Sequence, residues 1–306
     1  MSADDLHSIA VHRWSADKSV KGIVLILHGM AEHALRYAEF ANYLASEGFD
    51  VFACDHRGHG KTGNLAGKMG FFADKGGWSL ITNDILKLAQ QIKGDFPKQP
   101  LFLFGHSMGS FLARTCMTRS KDLFTGIILC GSSVENVSIL RLSLALTKLL
   151  IFFQGPYKRT ELLNYLTFGA FNKKFYPVRT AFDWLSRDHS EVDAYCQDPL
   201  CGFKCTLRFF YDLFTGLIQI NDGLVLSCGN KSSVLLISGS CDPVGHMGKD
   251  VPLLARKFTE SAFPDITYKL YEDARHSLLH ESNKLEVFED ILLWLNRKIL
   301  NYPSSL

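Results

Sequence analysis

The stretch PLFLFGHSMGSFLA, residues 100–113, constrains this chain more than any other. Four apolar residues, Leu101 to Phe104, predict a buried strand, and a small, helix-compatible run follows Gly109. Between them stand Gly105-His106-Ser107-Met108-Gly109. A strand that turns at once into a helix forces its turn residue into strained backbone geometry, and glycines two before and two after keep other side chains away.

The remainder of the chain fits that beginning. Short runs rich in β-branched residues, Ile23–Leu27, Val51–Cys54, Leu101–Phe104, Ile127–Cys130, Val234–Ile237 and Ile266–Tyr271, alternate with amphipathic helical patterns over Arg36–Glu47, Trp78–Lys93 and Lys284–Leu300. Such alternation implies a mostly parallel sheet covered on both faces. It breaks for about ninety residues after Gly131, where the aromatic-rich sequence reads as a cap laid over one end of the sheet. The expected division is a core of residues 1–131 and 226–306 with a cap, or lid, of residues 132–225.

With 306 residues, 47% of them hydrophobic and 21% charged, one large α/β domain with an insertion can build a substantial core. The formal net charge of +2 gives no electrostatic footprint for nucleic acid. The start, MSADDLHSIAVHRW, lacks a basic n-region and an apolar h-region, so the chain is read as cytoplasmic. Eight scattered cysteines suggest free thiols. Only Cys196, Cys201 and Cys205 cluster, and a metal reading there needs a ligand that the neighbouring sequence does not supply. Asp55-His56-Arg57-Gly58-His59-Gly60 reads as a structural loop after a strand. No dinucleotide fingerprint or P-loop occurs, and neither a cofactor nor a metal is expected.

Ligands of open parallel sheets collect at the carboxyl ends of the strands, where Ser107 lies. G-x-S-x-G at a strand-to-helix turn is the nucleophile elbow. A serine hydroxyl is a weak nucleophile near neutral pH and needs a histidine base oriented by a carboxylate, in the order serine, acid, histidine. Asp242 follows the Val234–Ile237 run, and His276 follows Ile266–Tyr271. Ser107 is therefore assigned as nucleophile, Asp242 as orienting acid and His276 as general base and then acid. The rivals are Asp250, set deeper in a helix, Asp273, too near the histidine in sequence, and His280, read as a surface helix residue. The backbone N–H groups of Met30 and Met108 are the candidate oxyanion hole.

The stretches HGMAEHALRYAEFANYLASEGFDVFACDHRGHGKT, GHSMGS, LLISGSCDPVG and LYEDARHSLLHE, with WLSRDHSEVDAYCQDPLCGF in the cap, resemble the monoacylglycerol lipase and lysophospholipase branch of the serine α/β hydrolases. That resemblance covers almost the whole chain. It implies a mostly parallel eight-stranded sheet flanked by helices, a mainly helical cap inserted after strand 6, and an apolar acyl tunnel. It also implies head-group contacts at Glu32, Arg36 and Tyr195. Some members carry a histidine three residues after the catalytic one, where this chain has Leu279.

The expected activity is cleavage of a small lipid ester with a single acyl chain, monoacylglycerol or lysophospholipid, through an acyl-enzyme on Ser107. The alternatives are a hydrolase or acyltransferase of the same fold acting on a non-lipid ester or amide, and a non-catalytic binding module. Residues 136–154, apolar around Arg141 and Lys148, suggest a helix at a tunnel mouth or in peripheral contact with a membrane.

Overall fold

The computed structural model describes residues 1, 3, 5–222, 231–300 and 302. The expected cap boundary at residues 225/226, like Cys228, lies outside the described residues. In chain order the elements are β1 (Val11–Trp14), β2 (Gly22–Leu27), α1 (Ala38–Ser46), β3 (Phe49–Cys54), α2 (Gly60–Leu65), α3 (Gly77–Asp95), β4 (Leu101–His106), α4 (Met108–Arg119) and β5 (Gly126–Cys130). Then come α5 (Val137–Gln154), α6 (Glu161–Phe168), α7 (His189–Gln197), α8 (Leu207–Asn221), β6 (Ser233–Gly239), α9 (Asp250–Glu260), β7 (Ile266–Tyr271) and α10 (Lys284–Leu300).

The strands form one sheet in the order β1-β3-β2-β4-β5-β6-β7. Only β1 runs antiparallel, pairing Val11 with Cys54 and Trp14 with Val51 at the edge. The other pairings are parallel. Strands β2 to β5 are buried along their whole length because helices cover both faces. Alternate residues feed two cores. Leu25, Leu103 and Leu129 face one that includes residues of α3, α4, α8 and α9. Val24, Phe104 and Ile128 face another built with α1 and α10.

Among the described residues the sheet holds seven strands, where the resemblance implies eight, and the inserted helices follow the fifth of these, β5. Ahead of β1, Ala3 N–H donates to the His7 carbonyl at 2.8 Å and Leu6 N–H to that of Ala3 at 3.1 Å.

Helix α8 packs on α3 and α4, and α5 packs along α8. Each starts at a side-chain cap: Asn136 accepts from the amides of Ser138 and Ile139, and Thr206 from that of Phe209. Residues of helix α6 and of the 3-10 turn Asp183–Leu185 line the same cavity as Gly29 and Ser107, which follow the carboxyl ends of β2 and β4.

Candidate active site

Ser107 joins β4 to α4 with φ 52° and ψ −120°, a conformation that non-glycine residues rarely adopt. Its amide donates to the Cys130 carbonyl at 2.9 Å, and Ser110 Oγ donates to its carbonyl at 2.6 Å. The flanking glycines are required by space: a Cβ on Gly105 would collide with the Gly109 carbonyl, and one on Gly109 with that of Leu27. Met108 opens α4, so its N–H has no acceptor within the helix and belongs to the positive end of the helix dipole.

Asp242 and His276 come from the loops after β6 and β7 and meet in a fully buried pair. His276 Nδ1 lies 2.9 Å from Asp242 Oδ1 and 3.0 Å from Oδ2. Asp242 accepts two further hydrogen bonds, from Ser238 Oγ at 2.9 Å and Val244 N–H at 2.9 Å. Burial opposes its ionisation, but the adjacent His276 and these donors outweigh it and hold the carboxyl below its ordinary range. Among the described residues, the other ring nitrogen of His276, Nε2, has no hydrogen-bond partner, and both His276 and Ser107 border one cavity.

The loop holding His276 is fixed largely by residues inserted between β5 and β6. His276 packs against the rings of Trp184 and His106, at centroid distances of 5.2 and 4.7 Å. Ser277 N–H donates to the Leu185 carbonyl at 2.7 Å. Buried Glu281 accepts from Arg275 N–H at 2.8 Å, Arg187 N–H at 3.1 Å and Arg187 Nε at 3.0 Å. Ser238, Trp184, Arg187 and Glu281 were absent from the sequence assignments. Arg187 and Glu281 both lie in stretches that carry the family resemblance, but a separation of 94 residues hides that they pair.

Of the rivals, Asp250 opens α9 and accepts from Val134 N–H at 2.9 Å, with His246 Nδ1 2.8 Å from the same oxygen. His280 corrects its surface-helix reading: it is buried in a 3-10 turn, and its Nε2 lies 2.9 Å from the Arg36 carbonyl. Burial and the nearby Arg36 push its pKa down to about 3.

The cavity has a volume of about 650 Å³. Gly29, Met30, Glu32, His106, Ser107 and His276 form its floor, while Leu162, Tyr165, Phe168, Trp184 and Phe203 are among the apolar residues above. Glu32 and Tyr195 reach it, whereas Arg36 lies behind them, its guanidinium 4.8 Å from the centre of the Tyr195 ring and its Nε 3.0 Å from Glu32 Oε2. Glu32 Oε1 also accepts from Gly29 N–H at 2.5 Å and Tyr37 OH at 2.8 Å, with His106 Nδ1 at 3.2 Å. Burial would keep this carboxyl protonated, but His106 and Arg36 hold its pKa well below the usual range. No residue of α5 lines the cavity; α6 supplies that wall instead.

A nearly all-parallel sheet carrying an elbow serine, with an acid and a histidine after its last two strands, is the architecture of an α/β hydrolase. The chain belongs to the family described as Serine aminopeptidase, S33, whose model matches residues 18–283. It is similar to the monoglyceride lipase of Mus musculus, with 29% identity over 94% of this chain and 86% of that protein. It is also similar to the monoacylglycerol lipase of Mycolicibacterium smegmatis, with 26% identity over 92% of this chain and 90% of that one. Among solved structures, a highly thermostable carboxyl esterase from Bacillus coagulans in complex with glycerol superposes with a TM-score of 0.87 at 27% identity, covering 98% of this chain and 97% of that one. By class the chain is a carboxylic ester hydrolase.

Proposed function

We propose that this enzyme hydrolyses esters of single-acyl lipids, monoacylglycerols or lysophospholipids, by a two-step acyl transfer through Ser107. The observation that carries the reading is the cavity: apolar side chains of the cap close over a floor whose polar groups include Ser107, His276 and Glu32. An acyl chain fits the former and an ester carbonyl the latter. The names of the relatives, monoglyceride lipase and monoacylglycerol lipase, agree with this substrate class.

In the proposed mechanism, His276 Nε2 takes the proton of Ser107 as Oγ attacks the ester carbonyl. The imidazolium so formed is stabilised by Asp242, already ionised and 2.9 Å from Nδ1. The amides of Met30 and Met108 hold the oxyanion. His276 then protonates the departing alcohol, and water deacylates the serine by the same route. Glu32 and Tyr195 face the alcohol portion, with Arg36 supporting both from behind. Residues 132–225 act as a cap on the remaining core, and α5 rests on the lipid surface that holds the substrate.

The test compares the wild type with Ser107→Ala on chain-length series of monoacylglycerols, lysophosphatidylcholines and p-nitrophenyl esters, with amide analogues alongside, reading released fatty acid. Cleavage of the lipid esters by the wild type alone is the expected result. Faster turnover of amides would sink the ester reading in favour of peptidase chemistry. Equal activity in both proteins would remove Ser107 as the nucleophile.

A further inference from the structure

Cys196, Cys201 and Cys205 are neighbours in sequence but not in chemistry. Cys196 is exposed, and Cys205 is buried in the core against Gly70. Cys201 instead meets two partners from other elements, His33 in the loop after β2 and Asp198 at the end of α7. One ligand atom from each of the three lies within 4.8 Å of the other two.

We propose that His33, Asp198 and Cys201 form a binding site for a thiophilic divalent cation of the Zn²⁺ type, joining the cap to the loop that follows β2. Imidazole nitrogen, carboxylate oxygen and thiolate sulfur are the three ligand classes that Zn²⁺ accepts. Ligands at about 2.0–2.3 Å from a tetrahedral ion stand roughly 3.3–3.7 Å apart, so the cluster tightens by about 1 Å while the His33–Asp198 contact opens. Three protein ligands leave the fourth position to water.

Several contacts organise the site in advance. Leu200 N–H donates to Asp198 Oδ1 at 2.8 Å, leaving Oδ2 directed at His33 Nε2, also at 2.8 Å. Cys201 N–H donates to the Asp198 carbonyl at 3.0 Å, fixing the two cap ligands in one turn. Cap and core are already in register beside them, since Gly202 N–H and Tyr195 OH both donate to the Ala31 carbonyl, at 2.9 and 2.8 Å. His33 and Cys201 are buried, which shelters an ion from water.

Two effects oppose binding. Burial pushes the Cys201 thiol up to about 12, so the metal itself must displace that proton to the solvent. Arg36, beside the thiol, favours the thiolate but repels a cation, and its ion pair with Glu32 at 3.0 Å offsets part of that charge. Both effects moderate the affinity, and neither removes a ligand.

The experiment titrates chelator-treated full-length protein with Co²⁺, following the visible bands of tetrahedral cobalt and the ultraviolet thiolate-to-cobalt transition, and repeats it with Zn²⁺ by thermal melting. Wild type is expected to show both spectral signatures at one equivalent and a raised Tm. Cys201→Ser and His33→Gln should lose the thiolate transition or weaken binding at least tenfold, while Cys196→Ser and Cys241→Ser bind as wild type does. Should Cys201→Ser fail to fold, Asp198→Asn serves in its place, with at least tenfold weaker binding expected. Absence of a thiolate transition in folded wild type, or its loss in Cys196→Ser or Cys241→Ser but not in Cys201→Ser, overturns the proposal. These readouts do not depend on which ester the enzyme cleaves.

Discussion

Asp242 keeps its charge in a fully buried position because three neighbours supply hydrogen bonds to it. Asp242→Asn preserves the shape but replaces an acceptor-only carboxylate with an amide, which favours the wrong His276 tautomer. A fall in kcat of about 10⁴ is expected, with the fold retained, as checked by single-turnover kinetics beside circular dichroism. Glu32 poses a different question, since its carboxylate ties together Gly29, Arg36, Tyr37 and His106. The Gly29 bond anchors the residue just before Met30, whose amide is the proposed oxyanion donor. Glu32→Gln is therefore expected to slow p-nitrophenyl esters and monoacylglycerols alike, by at least tenfold in kcat. A loss confined to the KM of glycerol esters would make Glu32 a head-group residue alone.

At the scale of elements, α5 and α6 divide the work that one apolar segment was expected to perform. Helix α6 borders the cavity, whereas α5 leaves Ile139, Leu142, Phe152 and Phe153 exposed and buries Leu140 and Thr147. By length and composition alone α5 is apolar enough to cross a membrane, yet it packs along α8, which itself packs on the core helices. A helix held in that way is suited to lying on a lipid surface. Phe152→Ser with Phe153→Ser should lower hydrolysis of monoacylglycerol presented in vesicles by about tenfold and leave a soluble short-chain p-nitrophenyl ester unaffected; equal losses on both would contradict surface docking. Inside the cavity, each methylene buried contributes about 0.8 kcal/mol, so kcat/KM should rise roughly fourfold per carbon until the space is filled. The central strands were legible because complete burial writes them as unbroken apolar runs, and their order then located Ser107, Asp242 and His276 at strand ends. Edge strand β1, VHRW, was not, because its half-exposed residues carry no such run. The misreading of His280 has a similar cause: its burial comes from Arg36 and Tyr37, far away in sequence.

Across the whole molecule, the feature with the broadest consequence is the set of neutral histidines sealed beneath the active-site floor. His28, His56 and His59 form one cluster, with ring centroids 4.1 Å apart for the first two and 5.2 Å for His28 and His59, and His280 is buried separately. Burial depresses all four, to about 3 for His59 and His280, and each neighbouring imidazole would resist a second charge. In the unfolded chain they titrate near 6.5. Between that value and their folded pKa the unfolded state binds more protons, so stability is complete above about pH 6.5 and falls as the pH drops. The limiting slope is about 1.4 kcal/mol per pH unit for each histidine. Buried carboxylates with depressed pKa values, including Glu32, Asp55 and Asp242, lose their contribution only at lower pH, below about 4.5, because they are ionised in both states above it. Acid destabilisation should thus begin near pH 6.5, two units before carboxylates alone would start it. Urea unfolding at pH 8, 7, 6 and 5 checks this directly: midpoints should agree between pH 8 and 7 and fall progressively at 6 and 5. His59→Asn, judged by its slope between pH 6 and 5 rather than its absolute stability, should take up about one proton fewer on unfolding. A midpoint unchanged from pH 7 to 5 would mean that these imidazoles gain protons in the folded protein as readily as in the unfolded chain.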